Sequence, residues 1–267
     1  MPGTPPSIAP SSIASASSRE TAAARPWGVW ATVGFSLAIA LAGITAQSIA
    51  VVGVVVAEVI RFEKVPEAET IETSGLVLAL ATWFSAPVVV SGCVLVAWLR
   101  KSIRLTDYLA WRWPARKAAL ASVGALAVLI VTSDTLTLSL GRPIVPEVML
   151  DFYKTAGFLP LLWAALIVFA PVAEEVLFRG FLFAGLERSR LGGWGAILIT
   201  SLAWAVIHLQ YDLYGMANIF VSGVLIGYIR WKTNSLPLCI ALHALMNAIS
   251  TVQTELVLLA AAWSPIS

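Results

Sequence analysis

The chain has 267 residues, 59% of them hydrophobic and 12% charged, with 11 tryptophans, a net charge of +2 and a mean hydropathy of +0.86. An ordinary soluble domain carries about a quarter charged residues, so this composition excludes one and describes a chain that uses lipid as its solvent. The small net charge gives no footing for a nucleic-acid partner.

The first 26 residues are rich in Pro, Ser and Ala without periodicity, which predicts a disordered tail over 1–26. Residues 27–267 then read as a transmembrane helical domain. Its first uncharged run, Trp27 to Ala57, is longer than a signal-peptide core and lacks a good small-x-small cleavage site, so it is expected to be a retained span. Further apolar runs at Thr73–Leu99, Ala118–Ser133, Gly157–Leu186, Gly192–Leu209, Leu213–Ile229 and Ser235–Thr254 bring the expected count to seven. The short piece Leu256–Trp263 either extends the last helix or folds back as a partial eighth. The predicted fold class is therefore all-α, a polytopic membrane protein with seven to eight spans, because irregular backbone cannot face lipid.

Loop charge sets the expected orientation. With the amino terminus in the cytoplasm, 13 of the 17 basic residues, Arg179 among them, fall on the cytoplasmic side. The opposite loops hold only Arg61, Lys64, Arg142 and Lys154, beside Glu58, Glu63, Glu67, Glu69 and Glu72. This predicts an inside amino terminus and an outside carboxyl terminus in the plasma (inner) membrane. Between the third and fourth spans, Val145 to Gly157 mixes apolar residues with Glu147, Asp151 and Lys154, which predicts an interfacial helix. Cys93 and Cys239 sit in apolar runs and read as small core residues.

Ionisable groups inside spans are expensive and ask for a partner or a task. The fourth run contains adjacent carboxylates, Glu174 and Glu175, followed by Arg179. Neighbours on a helix point about 100° apart, so the two glutamates have different surroundings. Glu175 and Arg179 have the i, i+4 spacing of an ion pair, leaving Glu174 free for a polar cavity. That reading requires the fourth helix to run through to about Leu186, which puts Glu174 near mid-depth.

Both histidines of the chain also lie in apolar runs, as Trp204-Ala-Val-Ile-His208 and His243-Ala-Leu-Met-Asn247. Trp204 shares a helix face with His208 and forms a wall for its ring. His243 and Asn247 share a face and resemble the donor side of an oxyanion hole.

A carboxylate and an imidazole can hold a water and take its proton while further donors stabilise the oxyanion, so peptide hydrolysis inside the membrane fits. Zinc held by Glu174, His208 and His243 also fits, as two histidines and a carboxylate leave a position open for water. The H-E-x-x-H pattern is absent and Asn is a poor zinc ligand, which favours a metal-free reaction with no cofactor. No G-x-S-x-G marks a serine nucleophile, and Asp134 and Asp212 fall at span ends. The rival readings are a non-catalytic membrane immunity or binding protein that keeps these groups as interhelical glue, and a carrier using Glu174 as a proton site.

The order E-E-x-x-x-R, aromatic-x-x-x-H and H-x-x-x-N, each in its own apolar run, resembles the CAAX-protease and bacteriocin-processing (CPBP) family of intramembrane proteases, related to the CAAX prenyl endopeptidases. The match spans Pro171 to Asn247, within an expected catalytic core at 157–254. The resemblance implies Glu174 as the water-activating base, Glu175 and Arg179 as its support, His208 as partner to the water, and His243 with Asn247 at the oxyanion. It also implies a membrane-attached or membrane-spanning protein or peptide as substrate. Trp204 departs from the Phe usual at that position, which bears on pocket shape.

Overall fold

The computed structural model describes residues 25–263. The expected disordered tail lies outside the described residues except for Arg25 and Pro26, where the Arg25 carbonyl accepts from Arg100 Nε at 3.0 Å. Among the described residues every regular element is helical. In chain order these are α1 (Val29–Phe62), α2 (Ala68–Glu72), α3 (Gly75–Leu99), α4 (Leu105–Tyr108), α5 (Arg116–Ser139) and α6 (Glu147–Thr155). They are followed by α7 (Leu159–Glu187), α8 (Gly192–Val206), α9 (Leu213–Thr233) and α10 (Leu236–Trp263).

Six of these helices, α1, α3, α5, α7, α9 and α10, are long and apolar enough to cross a membrane. The chain is an all-α, multi-pass integral membrane protein. The expected span at Gly192–Leu209 is the shorter apolar helix α8, 15 residues and about 22 Å long at 1.5 Å per residue, below the length of the other six. Its helix stops at Val206, so His208 lies in the following turn rather than within a span. The piece Leu256–Trp263 continues α10 as one helix of 28 residues, which removes the partial eighth span.

Close approach of helices sets the frame. α1 packs along α3 and against the end of α7, where a side chain at Gly185 would collide with Thr32. Trp27 and Trp83 tie loops and helices across the bundle, Trp27 Nε1 donating to the Val96 carbonyl at 3.0 Å and Trp83 Nε1 to the Leu161 carbonyl at 3.2 Å. Cys93 and Cys239 are free and buried.

A helix does form between the third and fourth long spans. α6 spends its apolar face on protein, since Met149, Phe152 and Tyr153 are buried in a cluster with Ala79, Leu162 and Ala165. Tyr153 is held so far from water that burial pushes its phenol above the usual range. Arg100, Lys101, Arg104, Arg112, Arg116, Lys117, Arg188, Arg190 and Lys232 gather where α3, α7 and α9 end and α5 begins. Arg179 is not among them. It is fully buried in the middle of the bundle, which corrects its assignment to a cytoplasmic segment: its partner Glu175 lies one turn earlier on α7 and draws it inward.

Candidate active site

α7 carries the carboxylates, and its backbone is irregular where they sit. It contains two π stretches, Ala165–Phe169 and Val176–Leu182, flanking the α-helical turn Ala170–Glu175. At the end of the first stretch the Ala170 N–H reaches back five residues to the Ala165 carbonyl. When α register resumes, the next position, Pro171, aligns with residue 167 and has no N–H to donate, so the Leu166 carbonyl is skipped. The second stretch repeats this: Phe183 N–H reaches the Phe178 carbonyl, and the Arg179 carbonyl is skipped.

A skipped carbonyl inside a membrane needs a donor from elsewhere. Asn247 Nδ2 on α10 supplies one to Leu166 at 2.7 Å, and Arg230 Nε on α9 supplies one to Arg179 at 2.9 Å. These two contacts fasten the glutamate-bearing turn between α9 and α10.

The two glutamates face different surroundings. Glu175 is 0% exposed, and its Oε1 accepts from Arg179 Nη1 at 3.0 Å and from His243 Nδ1 at 2.9 Å. The Arg179 guanidinium also donates from Nη2 to the Gly223 carbonyl at 3.3 Å and lies 4.7 Å from the Trp204 ring centroid. The Gly223 position has no room for more, since a Cβ there would stand 3.0 Å from Trp204 Cε3 and 3.2 Å from Arg179 Nη2. Glu174 is 23% exposed and opens onto a cavity. Its Oε2 accepts from Trp204 Nε1 at 2.5 Å, and His243 Nε2 stands 4.0 Å from the same oxygen.

Hydrogen-bond partners assign the imidazole tautomers. The Trp204 carbonyl, 2.7 Å from His208 Nδ1, can only accept, so that nitrogen carries the proton. Glu175 Oε1, paired with Arg179, likewise accepts a hydrogen bond from His243 Nδ1–H. In their neutral forms both rings therefore keep Nε2 as the nitrogen with a free lone pair. Trp204 sets both ring planes edge-on, with centroids 5.5 Å from His208 and 5.0 Å from His243.

The cavity measures about 680 Å³ and is lined by Glu174, Trp204, His208, His243 and Asn247 together. All the sequence-predicted site residues thus meet in one place, with Glu175 and Arg179 immediately behind. The cavity extends past polar pairs, Asp134 with Gln253 at 2.7 Å and Ser133 with Asn218 at 2.9 Å, out to the exposed Arg142–Asp212 ion pair. Such a lining suits water at membrane depth.

Sequence reasoning missed two contributors. Tyr211 lines the cavity with its ring stacked on His208 at 6.3 Å, and burial pushes its hydroxyl up to about 12, with the Glu174 charge adding to the effect. Its signal was an aromatic three residues past a histidine, in a segment where helix periodicity no longer applies. Arg230 was legible only as a charge near a span end; the need it meets, a skipped carbonyl, leaves no mark in the sequence.

Anchoring Nδ1 on a carbonyl or carboxylate is also how metal-binding histidines are oriented. As placed, however, no three His, Cys, Asp or Glu side chains among the described residues gather around one point that could hold an ion. The donor set does not fit zinc in this arrangement.

No curated protein and no solved structure gives a significant match to the chain. Residues 156–249 match the family described as type II CAAX prenyl endopeptidase Rce1-like, and this segment, which contains all the sequence-predicted site residues, is thereby similar to the CAAX-protease family that its motifs resemble.

Proposed function

We propose that the protein is an intramembrane endopeptidase that hydrolyses a peptide bond of a membrane-attached protein or peptide, with Glu174 activating the water. The observation that carries this reading is the unequal pair of glutamates: Glu175 is committed to Arg179 and His243 in the core, while Glu174, held by Trp204, faces a polar cavity.

The 4.0 Å separation between Glu174 Oε2 and His243 Nε2 lets one water lie within hydrogen-bond reach of both. Glu174 takes one proton as the water oxygen bonds to the carbonyl carbon of the scissile amide, and His243 Nε2 orients the molecule by accepting its other hydrogen. This supports a place for His243 on the water side of the reaction as well as beside the oxyanion. Negative charge then gathers on the carbonyl oxygen, where the second Nδ2 hydrogen of Asn247 is an available donor, while His208 lines the same cavity as a further partner to the water. Glu174 returns its proton to the amide nitrogen, the C–N bond breaks, and the products are an amine and a carboxylic acid, which then gives its proton to solvent.

The reading needs no metal or other cofactor. With the basic end of the bundle in the cytoplasm, as the positive-inside rule directs, the cavity opens on the outer face. Recognition rests with the bilayer-embedded surface, which favours a substrate already held in the membrane.

The test compares the membrane proteomes of cells expressing the intact chain or Glu174→Gln, His208→Ala or His243→Ala at equal levels. One protein retaining an uncut terminus in all three variants supports the protease and identifies its substrate. If all three variants match the intact chain in both cleavage pattern and phenotype, the polar cluster is structural and the immunity or binding reading replaces it.

A further inference from the structure

α9 runs from the mouth of the Glu174 cavity to the opposite end of the bundle, and a second cavity of about 380 Å³ lies at that far end. Its charged lining is Arg104, Arg112, Arg188 and Arg230 with Asp107 and Glu187. Asp107 is already engaged, taking Arg104 Nε at 2.7 Å and Arg112 Nη2 at 3.4 Å. Arg188 and Arg230 enter no ion pair among the described residues.

Arg230 is only 3% exposed. Its Nε is fixed on the Arg179 carbonyl at 2.9 Å, its Nη1 on Asn234 Oδ1 at 2.7 Å, and its guanidinium lies 5.1 Å from the Phe183 ring centroid. These contacts orient the fork without neutralising it. A buried charge whose direct partners are all neutral is costly, and an anion entering the cavity would remove that cost.

We propose that this cavity binds a phosphate-bearing anion, the phosphodiester of an acidic lipid headgroup, with Arg188 and Arg230 as its principal ligands. Guanidinium forks match phosphate oxygens bidentately, and basic cavities between helices at a membrane surface suit acidic headgroups. The surrounding Arg100, Lys101, Arg116, Lys117, Arg190 and Lys232 raise the local concentration of any anion. Glu187 narrows the choice, since a carboxylate in the wall repels a second negative charge and favours a singly charged diester over a phosphate dianion.

The experiment uses the full chain in phosphatidylcholine nanodiscs, with phosphatidylglycerol added in one arm and inorganic phosphate in another. Retained lipid is read by native mass spectrometry and stability by thermal unfolding. The intact protein is expected to retain phosphatidylglycerol over phosphatidylcholine, with occupancy falling roughly five- to tenfold in Arg188→Ala and rising in Glu187→Gln. Arg188 is exposed, so its variant should unfold in pure phosphatidylcholine at the same temperature as the intact chain. If phosphatidylglycerol is not retained but inorganic phosphate stabilises the intact chain and not Arg188→Ala, the anion site stands and its source is soluble phosphate. If folded intact, Arg188→Ala and Arg188→Glu proteins retain equal phosphatidylglycerol and respond equally to phosphate, the proposal is overturned.

Discussion

Asn247 donates to the carbonyl of Leu166 at 2.7 Å, the position that the first π stretch of α7 skips. One of its two amide hydrogens is thus structural, and the other is free for the cavity. Asn247→Ala should lower stability by about 0.6–1.7 kcal/mol, the range for hydrogen bonds between membrane helices, and reduce cleavage as well. Asn247→Asp should do both more strongly, because a carboxylate cannot donate to the carbonyl. Thermal unfolding read beside cleavage tests this: unchanged stability in Asn247→Ala would show that the contact with Leu166 contributes nothing.

The adjacent glutamates should fail in different ways. In Glu174→Gln the amide oxygen can still accept from Trp204 Nε1, so the fold should persist while cleavage falls by about 10²–10⁴-fold, the usual loss with a general base. Glu175→Gln removes the charge facing a fully buried Arg179, and breaking such a pair costs about 3–5 kcal/mol. Its thermal midpoint and yield should drop together. A Glu175→Gln protein as stable as the intact chain would refute the division of roles.

Much of this site was legible from spacing alone, and the part that was not has an identifiable cause. The Glu175–Arg179 pair follows from one helical turn, as does the Trp204–His208 contact, because an i, i+4 relation survives the departure from ideal geometry in each case. The helix at Glu147–Thr155 was visible from its mixed pattern, though whether its apolar face met lipid or protein depended on α3 and α7. By contrast, hydropathy assigned a full span to Gly192–Leu209, since composition does not register that the helix ends at Val206. The partnership of His243 with Glu175 joins residues on different helices, and the π register that creates the need for Asn247 and Arg230 comes from tertiary packing. Local periodicity contains neither.

Trp204 holds Glu174 through its indole N–H and also covers Arg179 and His243 with its ring. Trp204→Phe removes the first contribution and keeps most of the second. A lost hydrogen bond of this kind contributes about 0.5–1.5 kcal/mol, so kcat/KM should fall by no more than about tenfold with unfolding nearly unchanged. Trp204→Ala should cost about 3–5 kcal/mol of stability, as for other buried large aromatics. Equal stability losses in the two variants would show that the N–H, not the ring, supports the site.

Cleavage should survive chelation. Purified protein assayed after extended dialysis against a zinc chelator should keep its rate, and added zinc should not raise it. Loss of activity restored by zinc would reassign Glu174, His208 and His243 as ligands and require them to close around an ion from their present positions.

At the cavity mouth, Asp212 caps α9 by accepting the Gly215 N–H at 2.9 Å and pairs with Arg142 Nη1 at 2.6 Å. The Gly215 N–H first, then the arginine, hold this carboxyl below its ordinary value. A carboxyl lowered in the folded state adds stability that is fully present above its unfolded pKa of about 3.9 and disappears as pH falls through the lower folded value. The intact chain should therefore hold a constant advantage over Asp212→Asn from neutral pH down to about 5. Asn still caps the helix, so the two midpoints should converge on further acidification. Because both partners are exposed, added salt should shrink the neutral-pH difference. Thermal midpoints of the two proteins across this range decide the matter, and curves that stay parallel into acid would show that the Asp212 charge does not clasp the loops.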